Sequence, residues 1–130
     1  RGVPAEEVIP RIKMMKSKID SAGMQVWSVH LPFSRVLDIS VLDDSLREEN
    51  VRFMARMIEQ CRHFKPARLV LHPSSEPIAD SIRAQRIKNA RHSIIYLKPY
   101  ADRIGAQLCI ENLPRTCLGN TPEELLKTHS

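Results

Sequence analysis

Three short apolar runs in this chain each end on a side chain able to bind a metal ion, and a proline-containing loop follows each one. The runs are Val26 to His30 before Leu31-Pro32-Phe33, Leu69 to His72 before Pro73-Ser74, and Leu108 to Glu111 before Asn112-Leu113-Pro114. His72 lies 42 residues after His30, and Glu111 lies 39 after His72. A strand, a helix and their two loops need roughly 30 residues or more, so each interval holds one such unit. The chain therefore reads as an α/β fold of repeated parallel strand–helix units. Each unit brings one polar group to the same end of its strand, which is where parallel sheets build their sites.

The periodicity between the runs agrees. Val8, Ile12, Met15, Ile19 and Ala22 recur at steps of four and three, marking a helix from about 5 to 22 that Gly23 can stop. Pro10 is tolerable there only near the first turn or with a bend. A strand over 24–30 follows. A second helix starts near Asp43-Asp44, where Ser45 and Glu48 have capping-box spacing, and Leu46, Phe53, Met57, Cys61 and Phe64 supply its apolar stripe. Residues 68–72 form the next strand. A third helix spans about 79–104, with Ile82, Ala90, Ile94, Leu97, Ala101 and Ile104 inward and Pro99 as a kink or break. The strand 107–111 comes next. A last helix opens at Thr121-Pro122, a good N-cap followed by proline at the first helical position. The order α-β-α-β-α-β-α means a parallel sheet covered by helices.

At 130 residues the chain amounts to a single domain with room for a hydrophobic core. No apolar stretch approaches the roughly 20 residues needed to cross a bilayer. The first residue is Arg rather than Met, which leaves room for a leader ahead of it. Cys61, Cys109 and Cys117 form no Cys-x-x-Cys pair, which points to reduced thiols in a cytoplasmic protein. The net charge of +5 invites a nucleic-acid reading. Much of that excess, including Arg11, Lys13, Arg83 and Arg86, falls on helical stretches and reads as a solvated outer face. Aromatic residues are 5% of the chain, too few for a base-stacking platform.

Side chains alternate across a strand. His30 therefore shares a face with Ser28, His72 with Val70 and Arg68, and Glu111 with Cys109 and Gln107. Trp27, Val29, Leu69, Leu71, Leu108 and Ile110 point the other way, toward the helices, with Trp27 in the core. Two imidazoles and a carboxylate in the same register at one sheet edge form a set suited to a divalent ion. Three protein donors leave positions open for water or substrate. Cys109, on the same face, sits mid-strand with nothing nearby to lower its pKa, and packing is its better reading.

The segments His30-Leu31-Pro32-Phe33, Asp38-Ile39-Ser40, His72-Pro73-Ser74 and Glu111-Asn112-Leu113-Pro114-Arg115-Thr116 together resemble the xylose isomerase-like TIM barrels. That superfamily includes sugar phosphate isomerases and epimerases, and also endonuclease IV. The resemblance covers most of the chain and implies part of a (β/α)8 barrel, about strands two to four, whose whole usually takes about 250 residues. It also implies a metal-dependent isomerase or epimerase acting on a sugar or sugar phosphate by proton transfer through an enediol. Glu111 would be the catalytic carboxylate and a ligand of a divalent ion (Zn, Mn, Mg or Co). His30 and His72 would contact the ion or substrate hydroxyls, and Arg115 would orient the substrate.

The same resemblance carries two alternatives. Endonuclease IV uses the corresponding two His and one Glu to hold zinc, with nucleic acid as its partner. A barrel fragment acting as a binding or assembly module is the other. The chain is then either a fragment of a longer barrel or a half-barrel completed by pairing in a homo-oligomer.

Overall fold

The computed structural model describes residues 5–75, 78–113 and 116–129. Its elements are α1 (Ala5–Ser21), β1 (Ser28–His30), α2 (Asp44–Cys61), β2 (Arg68–Leu71), α3 (Asp80–Arg103), β3 (Gln107–Ile110) and α4 (Pro122–His129), in the expected order. The three strands form one parallel sheet in the order β1-β2-β3. Each crossover between neighbours carries one helix, the arrangement a parallel pair requires.

One face of the sheet makes the core. Leu69 and Leu71 of β2 are fully buried with Met54 and Ile58 of α2 and Leu97 and Ala101 of α3, and Val29, Leu108 and Ile110 pack against them. The alternation read from the sequence thus puts the apolar set of each strand under the helices. Trp27 departs from it: the indole is 67% exposed and lies under the Arg68 guanidinium, 4.7 Å from the ring centroid. It precedes the first residue of β1, where strand alternation does not yet hold, and β1 is one of the two edge strands of the described sheet.

The helix faces show a second correction. In α2 the buried residues are Asn50, Val51, Met54, Ala55, Ile58 and Cys61. Leu46 is exposed, and Phe53 and Met57 are half-buried. The true stripe is rotated by about one residue, because it includes a buried asparagine and an alanine that an apolar count passes over. The N-cap is Asp43 rather than Ser45: its Oδ1 accepts a hydrogen bond from the Leu46 amide at 2.9 Å. Replacing it, Asp43→Ala, should lower stability by about 1 kcal/mol, read as a shift in the urea midpoint, and Asp43→Ser should restore most of the loss.

Proline does not divide the helices. Both α1 and α3 run through Pro10 and Pro99, which face solvent, so water can satisfy the carbonyls their missing amides leave free. Gly23 ends the first helical stretch in the left-handed region (φ 66°), as its position implied.

The basic residues divide into two groups. Arg11, Lys13, Lys18, Lys88 and Arg91 are exposed, as a solvated face would have them. Arg83 and Arg86 are instead mostly buried and work as internal ties. Arg83 holds Glu124 through two bonds at 2.8 Å and donates to the carbonyls of Thr116 and Cys117, fixing the segment after β3 to α3. Arg86 belongs to a network centred on Asp38. There the carboxylate accepts from the Ser40 and Ser75 amides (both 2.7 Å), their hydroxyls (both 2.6 Å) and Arg86 (2.7 Å). Asn50 donates to the Asp38 carbonyl, and Asn89 and Ser93 donate to carbonyls of Val41 and Ile39. The loop after β1, the loop after β2 and α3 are thereby tied together.

Candidate metal centre

The face of the sheet away from the helices carries the candidate residues. In the hydrogen-bonded register His30 stands opposite Val70, and Val70 opposite Cys109. His72 follows β2 directly, and Glu111 follows β3, with its amide bonded to the Leu71 carbonyl at 3.0 Å. All three side chains share this face because each lies an even number of residues from that level. They are not in one register as expected, since His30 sits one pleat step earlier than the other two.

Despite that offset the three groups converge. His30 Nε2 is 2.7 Å from Glu111 Oε2, and His72 Nε2 is 3.3 Å from the same oxygen. The three donor atoms, one from each residue, lie within 4.8 Å of one another. His30 and Glu111 are about half exposed, while the His72 side chain is 4% exposed.

His72 is the unusual member. Both of its ring nitrogens are buried and make no hydrogen bond of acceptable geometry, the contact with Glu111 being a close approach only. A buried imidazole with two unsatisfied nitrogens is costly. Burial pushes the His72 pKa below the ordinary imidazole value, outweighing the attraction of Glu111, and His30 pushes in the same direction. The ring is thus held in the neutral form that binds metals. Two imidazoles and one carboxylate suit a zinc- or manganese-type ion, and such an ion would give the His72 nitrogen the partner it lacks. The donor set fits a divalent metal.

Around this group stand further residues that the sequence motifs do not mark as part of the site. The Phe33 ring lies against the His72 imidazole, centroids 4.0 Å apart and tilted by 31°, and the His30 ring approaches it at 4.8 Å. Ser74 Oγ accepts from the Leu118 amide at 2.9 Å, and Ser75 closes onto Asp38. The spacing Asp38-x-Ser40 was a readable signal, since a carboxylate bonding a backbone amide two residues on is a familiar turn device. Cys109 is half-buried on the site's face of the sheet rather than in the core. Cys61 is buried, and desolvation pushes its thiol up to about 11, so it is inert. No disulfide joins Cys61, Cys109 or Cys117 among the described residues. Arg115 lies outside the described residues. No described helix is long and apolar enough to cross a membrane.

Parallel strand–helix units with polar groups gathered beyond the strand ends fit a piece of a barrel of the (β/α)8 type. The chain belongs to the xylose isomerase-like TIM barrel family, whose pattern matches residues 4–128. Among solved structures, a D-tagatose 3-epimerase-like protein superposes with a TM-score of 0.79 at 25% identity, over 90% of this chain and 44% of its own. An L-ribulose 3-epimerase gives 0.72 at 18% identity, covering 98% of this chain and 43% of that one. A D-psicose 3-epimerase, solved in the presence of D-fructose, gives 0.69 at 18% identity over 82% of this chain and 38% of its own. The chain thus spans less than half the length of these neighbours. No curated protein matches it.

Proposed function

We propose that this chain carries part of the active site of a metal-dependent sugar or sugar-phosphate isomerase or epimerase. The observation that carries the reading is the buried His72 ring, unpartnered at both nitrogens and 3.3 Å from the carboxylate that His30 also meets. The family and the epimerases that share the fold point the same way.

In this reading His30, His72 and Glu111 hold a divalent ion, which when bound polarises a substrate carbonyl and its neighbouring hydroxyl. Glu111 is also the carboxylate through which a proton on the carbon beside the carbonyl is exchanged by way of an enediol. It is half exposed, so a substrate can reach it, and its partner His30 shares that exposure. Burial lowers the His72 pKa, which favours the neutral ring able to bind the ion. Arg115 orients the substrate. A full barrel, formed by one longer chain or by paired copies, would complete the site.

The test uses the intact protein with a panel of free and phosphorylated ketoses, with and without manganese or cobalt. Epimer formation that stops on chelation, with solvent deuterium entering at the reacting carbon, is the expected result. The donor pair His30 and His72 also suits a zinc nuclease, so an abasic DNA duplex belongs in the same experiment. Zinc-dependent incision without sugar turnover would replace the isomerase reading with the nuclease one.

A further inference from the structure

We infer that Phe33 is a positioning residue for His72, its ring doing the orienting that a hydrogen bond does for most metal-binding histidines. The inference rests on the metal-centre reading above and goes beyond it.

A metal-binding imidazole usually donates its second N–H to a carboxylate, a carbonyl or water, which fixes both tautomer and ring angle. His72 has no such bond at either nitrogen. Two rings lie beside it, Phe33 at 4.0 Å and His30 at 4.8 Å between centroids. Flat rings packed against one another favour particular offset or tilted arrangements, so the neighbouring faces can select one ring orientation.

The placement of Phe33 supports the same conclusion. The side chain is 49% exposed, so hydrophobic burial alone does not account for its position. The loop that carries it is held at both ends. Leu31 is buried, with its amide bonded to the Val70 carbonyl at 2.9 Å. Asp38 is locked to Ser75, three residues past His72, and to Arg86 of α3. The Phe33 backbone is therefore fixed relative to the strand end that bears His72. A flat face at that point limits the swing of the imidazole.

The test is a cobalt(II) titration of the intact protein followed by absorption, comparing wild type with Phe33→Leu, Phe33→Ala and Phe33→Tyr. Leucine keeps apolar bulk but has no flat face; tyrosine keeps the face. The expected result is a loss of cobalt affinity of about tenfold or more in Phe33→Leu and Phe33→Ala, the scale on which lost orienting contacts weaken metal sites. Phe33→Tyr should bind like wild type, and the melting temperature of metal-free Phe33→Leu should stay close to that of the parent. Wild-type affinity in Phe33→Leu overturns the inference, even if Phe33→Ala fails to fold. A wild-type protein that binds no cobalt overturns the metal-centre reading itself, a separate and recognisable outcome.

Discussion

Replacing Glu111 by glutamine should abolish divalent-ion binding while leaving the fold intact. The amide has nearly the shape of the carboxylate but not its charge, and Oε2 is the atom that both imidazoles approach, His30 at 2.7 Å and His72 at 3.3 Å. Loss of contacts that merely orient metal-binding residues already weakens such sites by about 10–100-fold, so removing a donor charge should exceed that range. The cost to folding should be small, since Glu111 is 44% exposed and half-exposed ion pairs contribute roughly 0–1 kcal/mol. Cobalt or manganese titration with a parallel thermal melt separates the two effects. Unchanged metal affinity in Glu111→Gln would remove this carboxylate from the centre.

The largest effect on stability should come from Asp38→Ala. Its carboxylate, 1% exposed, accepts five hydrogen bonds, and the Arg86 side chain bonded to it is 12% exposed. Removing one partner of a buried pair leaves the other charge without compensation, at a cost of about 3–5 kcal/mol. That is a large share of the roughly 5–15 kcal/mol that stabilises a typical domain. Urea unfolding of the single variants and of Asp38→Ala combined with Arg86→Met measures it. The double variant should lose less than the sum of the singles, because methionine removes the stranded cation. A loss below about 1 kcal/mol in Asp38→Ala would mean that Ser40, Ser75 and Arg86 find other partners.

The order of elements was legible from the chain because two signals reinforced each other. Apolar steps of three and four mark the helices, and Leu69 and Leu71 alternate with Val70 as a half-buried strand must. The candidate residues were legible for the same reason: His30, His72 and Glu111 end apolar runs at nearly equal intervals, and they do meet. What periodicity could not convey was polar burial. Asn50, Arg83 and Arg86 look like surface residues by type, yet each is drawn inward by carbonyls or carboxylates supplied from segments distant in sequence. Trp27 departs from its expected burial for the converse reason, since a large aromatic signals burial only where another element covers it. The contact between Phe33 and His72 joins two loops 39 positions apart, and no local pattern reports it.

The unequal levels of the three groups along the sheet have a geometric meaning. In an eight-stranded barrel with a shear of eight, neighbours slip past one another by about one residue per strand, so points at equal height around the axis drift steadily along the chain. Two such slips separate β1 from β3, and two residues is the offset between the level of His30 and that of Glu111. The slant of the wall therefore brings the first and third contributors to a common altitude, and they clasp across the strand between them. An added or deleted residue within β2 would reverse the side on which His72 emerges and empty the middle of that arc.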